Sequence, residues 1–198
     1  MDYINGALLF VDLELKGVDI LPGFWETLSG HSHIRNLALS NALINTADTP
    51  GFYKTCMRLE SLWIRDIYLE DGIRPGNMTF ERMRKLDMNG INLIHNEYQR
   101  DLILRSPRLE SLVWEIDSML GSVEPAPNRE WPPIKKLHLE CCSEDMSWAF
   151  MLNRVRDAPG NIDDLRLFGC ELGTEFYAIG SIVLLSETGS SEGSGCHY

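Results

Sequence analysis

His138, Cys141, Cys142 and Cys170 bring imidazole and thiol groups into the last third of the chain. Such donors hold structural zinc when they come as spaced pairs of the C-x-x-C type, and no such pair occurs here. Cys142 and Cys170 therefore read as small buried residues whose weak S–H donors face turn carbonyls. His31-Ser32-His33 reads as a solvated turn just before an apolar segment. Asp87, Glu115 and His138 offer the groups of a general acid/base set. Carboxylates in an acidic chain are more often a solvated face, and nothing around these three implies a pocket. There is no G-x-S-x-G, no glycine-rich phosphate loop and no H-E-x-x-H. The expectation is a chain with no catalytic residue, no cofactor and no metal.

The element that positions these residues is a repeat. "RLESL" occurs at 58–62 and again at 108–112, with "MRKLDM" halfway between. Written as apolar-x-x-apolar-x-apolar, the pattern occurs seven times: Phe10/Leu13/Leu15, Ile34/Leu37/Leu39, Leu59/Leu62/Ile64, Met83/Leu86/Met88, Leu109/Leu112/Trp114, Ile134/Leu137/Leu139 and Ile162/Leu165/Leu167. The middle residues advance in steps of 24, 25, 24, 26, 25 and 28. Of the 21 intervening positions 17 are polar, so a single face is apolar. The last two apolar residues are two apart, the spacing of one face of a strand, and the first lies in the turn leading into it.

Between strands the chain has room to leave and return through a helix or loop. The spacing predicts helices over 96–105, with Asn96 as cap and Tyr98, Leu102 and Ile103 facing inward, and over 147–156. Pro22-Gly23 and Pro50-Gly51 mark helix or turn starts, and the prolines of 121–133 predict an extended loop. One strand with its return segment cannot bury both faces, whereas stacked copies can. The fold expected is an α/β solenoid of about seven repeats, a short arc with parallel strands on the concave face and helices or loops on the convex face.

These triplets resemble leucine-rich repeats. "IKKLHLECC" and "IDDLRLFGC" place Cys142 and Cys170 three residues after the last patterned leucine, as in the cysteine-containing subclass found in F-box substrate receptors. At that position the other copies carry Val18, Ala42, Ile67, Ile91 and Asp117. "LRSPRLESL" at 104–112 is similar to the helix-to-strand passage of fungal F-box-like proteins. The resemblance implies substrate recognition for a ubiquitin ligase, with ligase components reached through an N-terminal F-box module that this sequence lacks. It divides the chain into a lead-in at 1–9, a repeat domain at 10–185 and a Gly/Ser-rich tail at 186–198. Because the array stops abruptly at that tail, a partial copy of a larger receptor, even one without a present partner, is also expected.

Composition narrows the partners. Acidic residues outnumber basic ones 29 to 18, for a net charge of −11, which disfavours nucleic acid and anionic lipid. No apolar run nears the ~20 residues that span a bilayer, and the N-terminus lacks the basic start of a signal peptide. The five cysteines, odd in number, suit reduced thiols and a cytoplasmic or nuclear protein.

What remains is the outward face of the strands. Its expected partner-binding residues are Trp63, Arg65, Asp87, Asn89, Glu115, His138, Glu140, Arg166 and Phe168. Trp63 and Phe168 are aromatic where polar residues are the rule, each beside an arginine, the types enriched at binding hot spots. The acidic middle favours a basic or mixed-charge protein or peptide. The reading is an interaction module that is not an enzyme; the alternative is an enzyme regulator or a catalytic solenoid using Asp87, Glu115 and His138.

Overall fold

The alternation of apolar and polar residues becomes seven strands: β1 (Asp12–Lys16), β2 (Asn36–Ile44), β3 (Ser61–Leu69), β4 (Lys85–Met88), β5 (Ser111–Ile116), β6 (Lys136–Cys141) and β7 (Asp164–Phe168). The computed structural model describes residues 11–30, 33–69, 77–89, 96–116, 131–141 and 162–168. The helix expected at 147–156, Phe10, His31, Ser32, Cys142, Cys170 and the tail lie outside them. The strands form one open, all-parallel sheet in chain order, β1 to β7, and among the described residues three helices lie between them: α1 (Phe24–Gly30), α2 (Thr49–Cys56) and α3 (Asn96–Leu104). The class is α/β.

Register follows the triplets. Leu13, Leu37, Leu62, Leu86, Leu112, Leu137 and Leu165 stand opposite one another along the whole sheet. The five central ones are at most 2% exposed, and the two at the edges are partly buried against the same core. A slip of one residue would turn every strand's apolar set outward, so this burial specifies the register. The first apolar residue of each described triplet from Ile34 to Ile162 sits two residues ahead of its strand, in the turn.

The turns add a backbone ladder. The carbonyl of Val11 accepts from the N–H groups of Arg35 and Asn36, at 2.8 and 3.0 Å. The same two-donor arrangement recurs from Arg35 to Glu60 and Ser61, and onward through Glu60, Arg84, Glu110 and Lys135. Each carbonyl uses both lone pairs, which ties a turn to the next one at two points. The side chains at these turns alternate in sign: Arg35, Glu60, Arg84, Glu110, Lys135 and Asp163. Arg35 pairs with Glu60 at 3.7 Å and Arg84 with Glu110 at 2.9 Å. Exposed pairs of this kind contribute only about 0.2–1 kcal/mol each, but like charges brought together by a misaligned stack would repel.

β2 and β3 run nine residues, well past their triplets. Asn41 and Asp66, at matching places, take positive φ of 50°. Asn and Asp tolerate this left-handed conformation better than other non-glycine residues. The extra residue keeps the inward phase, so Ala42 and Ile67, opposite each other, return to the core. They stand three residues after the last patterned residue, the sequence position that Cys142 and Cys170 hold in later copies, and both are buried.

One core joins the inner sheet face to the helices. Trp25 of α1 packs edge-on against Phe52 of α2 at 5.0 Å, and Tyr53 continues the aromatic row toward Phe80 at 6.4 Å. Lys54 and Glu26 bridge the same two helices at 2.9 Å. α3 is the helix predicted from Asn96: Leu102 and Ile103 are buried, and its buried Gln99 accepts the indole N–H of Trp114 on β5. A buried tryptophan needs such a partner. The side chain of Tyr98 lies outside the description. Among the described residues no helix is long and apolar enough to cross a membrane.

Candidate binding face

The face of the sheet turned away from the core is a grid of three rows. Parallel pairing in register places every third-row, second-row and first-row residue beside its counterpart on the next strand, about 4.8 Å away. The middle row reads Glu14, Ala38, Trp63, Asp87, Val113, His138 and Arg166. The row toward the C-terminal ends of the strands holds Lys16, Ser40 and Arg65, then Glu115, Glu140 and Phe168. Asn89 follows β4 and donates its backbone N–H to Ile64 at 3.2 Å, which keeps it next to β3.

The sequence-predicted residues are thus brought together on one face. Trp63 and Asp87 are direct neighbours, and both are half-buried. Glu115 and Glu140 stand opposite each other on neighbouring strands. Arg65 is exposed and lies within 3.8 Å of Asp66. Phe168 falls in line with Glu140 through its backbone, and its side chain lies outside the description.

Asp87 departs most from an ordinary surface carboxylate. Its Oδ1 is out of contact with solvent and has no hydrogen-bond partner. Burial between the Trp63 and Val113 strands pushes its pKa up to about 6, against the lowering effect of the Arg65 charge. The folded-state value lies above the unfolded one, so the native state binds a proton that the unfolded chain releases between about pH 4 and pH 6. Stability from this group is full below about pH 4 and is lost as the pH rises through about 6. Asp87→Asn is expected to stabilise the protein at pH 7 by about 1 kcal/mol, after discounting for the solvent that still reaches the carboxyl, and to have only a small fraction of that effect at pH 4. Urea denaturation of both proteins at the two pH values checks this; equal gains at both would disprove the titration.

His138 is shifted in the acid direction. Burial lowers its pKa first and the Arg166 charge adds to this, while Glu140 and Asp164 pull the other way. Beside it, Ser111, Val113, Lys136, His138, Asp164 and Arg166 surround a depression of about 160 Å³ that is also lined by Leu112 and Leu137, whose side chains turn into the core. Ser111, Lys136 and Asp164 belong to the first row, which also holds Asp12, Asn36, Ser61 and Lys85. Sequence reasoning took two outward positions per strand and missed this third one. Its signal was the residue immediately before each middle leucine, which already lies inside the strand.

A second omission is Leu43 and Tyr68. They pair across β2 and β3 beyond the left-handed residues, and both are exposed, at 49% and 43%. The matching strings Ser40-Asn41-Ala42-Leu43 and Arg65-Asp66-Ile67-Tyr68 carry the signal.

The chain matches no family model, no curated protein and no solved structure. The geometry of the face is therefore what a functional reading works from. Asp87 and His138 share a row, but Val113 stands between them, so their backbones are two strand spacings, about 10 Å, apart. That is too far for the two to share a proton directly. Among the described residues no three His, Cys, Asp or Glu side chains converge on a point that could hold a metal ion. The thiol of Cys56 is fully buried, and burial drives its pKa upward, so it packs as a small apolar group.

Proposed function

We propose that this chain is a leucine-rich-repeat solenoid of the cysteine-containing type and a non-enzymatic interaction module. Its outward sheet face takes a protein or peptide, in the manner of the substrate-recognition part of an F-box-like ubiquitin-ligase receptor. The architectural half of the proposal is supported by the seven triplets at steps of 24 to 28 residues and by the strands that pair in chain order. The functional half is carried by one observation: Trp63, beside Arg65 and next to a desolvated Asp87, lies in a continuous row of half-buried side chains across β3 to β6. A row that keeps an aromatic group beside a half-buried carboxyl suits contact with a partner that brings a positive charge.

Trp63→Ala is expected to weaken partner capture at least tenfold, the ordinary cost of a hot-spot aromatic, while cooperative melting is retained. Affinity capture from native cell extract with intact and variant chains measures it. Equal capture by both would remove the sheet face from the account. The raised pKa of Asp87 also favours a second reading, an acid/base role with Glu115 and His138. Turnover of any substrate abolished by Asp87→Asn but not by Trp63→Ala would select it.

A further inference from the structure

The depression between β5, β6 and β7 has the opposite character to the rest of this acidic chain. Lys136, Arg166 and His138 bring two permanent positive charges and an imidazole to its rim, and Ser111 adds a hydroxyl. Among the described lining residues the one carboxylate is Asp164, which pairs with Arg166 on its own strand at 3.2 and 3.4 Å and offsets one of these two charges, so Lys136 is the cation in excess. Lys136 is exposed, and no carboxylate of a described residue lies within ion-pair distance of it. A volume of about 160 Å³ accommodates a carboxylate with its methylene stem.

We propose that this depression is an anion-recognising subsite that takes the side-chain carboxylate of a Glu or Asp residue in the bound peptide, held by Lys136 and Arg166 with Ser111 as a further donor. The inference rests on the reading of the outward sheet face as a binding surface. A carboxylate fits better than a phosphate because Glu115 and Glu140 stand one row away on the same strands, and a doubly charged group would be repelled more strongly. Together with the desolvated carboxyl beside Trp63, the subsite makes the partner a mixed-charge segment. Its cationic group would lie at the β3/β4 boundary and its anionic group near β6, about two and a half strand spacings or ~12 Å apart. An extended peptide running across the strands covers that in about four residues.

His138 reports on occupancy, since a bound anion joins Glu140 and Asp164 in favouring its protonated form against Arg166, with Glu115 on the neighbouring strand unchanged. NMR titration of the full chain with N-acetylglutamate methylamide, its glutamine counterpart and inorganic phosphate at matched ionic strength tests the subsite. The glutamate probe is expected to move the His138 ring resonances saturably and raise its titration midpoint by at least about 0.3 pH unit. The glutamine probe is expected to do neither. Lys136→Met/Arg166→Gln should abolish the response and Lys136→Arg should keep it. No saturable shift, an equal response to glutamine, or persistence in the double variant overturns the proposal; stronger binding of phosphate overturns its carboxylate assignment. Any of these results with capture still dependent on Trp63 removes the subsite alone and leaves the sheet-face reading in place.

Discussion

Leu62→Ala is expected to lower the unfolding free energy by about 3–4 kcal/mol, the upper part of the range for a leucine deleted from a close-packed core. Leu62 is fully buried at the centre of the sheet, opposite Leu37 on one side and Leu86 on the other. Both neighbours are fixed by the backbone ladder of the turns, so the strands cannot move in to fill the space, and the void adds its own cost to the lost transfer energy. The same truncation at Leu165, which is only partly buried in β7, should cost about half as much. Urea denaturation of the two variants measures the difference. Equal and small losses would mean that the column of leucines is not the core of the sheet.

Gly51→Ala is expected to cost about 3 kcal/mol, the high end for forcing extra volume into a packed interior. A Cβ on Gly51 would stand 2.7 Å from the backbone nitrogen of Glu26 and 2.8 Å from the carbonyl carbon of Trp25. These are backbone atoms of α1, so relief requires α1 and α2 to separate as units. Separation would loosen the Trp25–Phe52 contact and the Lys54–Glu26 pair together. Helix propensity alone predicts the opposite, a gain of about 1 kcal/mol for alanine over glycine inside a helix. The sign of the change in a thermal or urea melt therefore decides between local preference and tertiary contact.

Gly51 also marks what the sequence could and could not convey. Pro50-Gly51 read as a helix or turn start, and α2 does include both in its first turn. The reason for the glycine lies 25 residues away in α1, where no local pattern points. The sheet was legible because its information is local: a period of two within each strand and a recurring interval between them decide which residues face inward. The outward face was legible for its middle and upper rows, which flank the last patterned residue. Lys136 and Ser111 were missed because the template began in the turn, whereas the strand begins one residue before the middle leucine. Leu43 and Tyr68 were missed because the triplet ends before Asn41 and Asp66, whose left-handed backbone extends β2 and β3. Asp87 was chosen for its chemical type. Its desolvation is a property of Trp63 and Val113, on strands that reach it only through the fold.

The most direct test of the account is where a partner touches the chain. A photo-crosslinking residue placed at Lys85, exposed in the first row of the sheet face, should form adducts with proteins from native extract. The same residue at Lys54, exposed on α2, should not. Adducts at position 54 with none at position 85 would contradict the account, because the partner would then be held by the helices and the sheet face would be without a function.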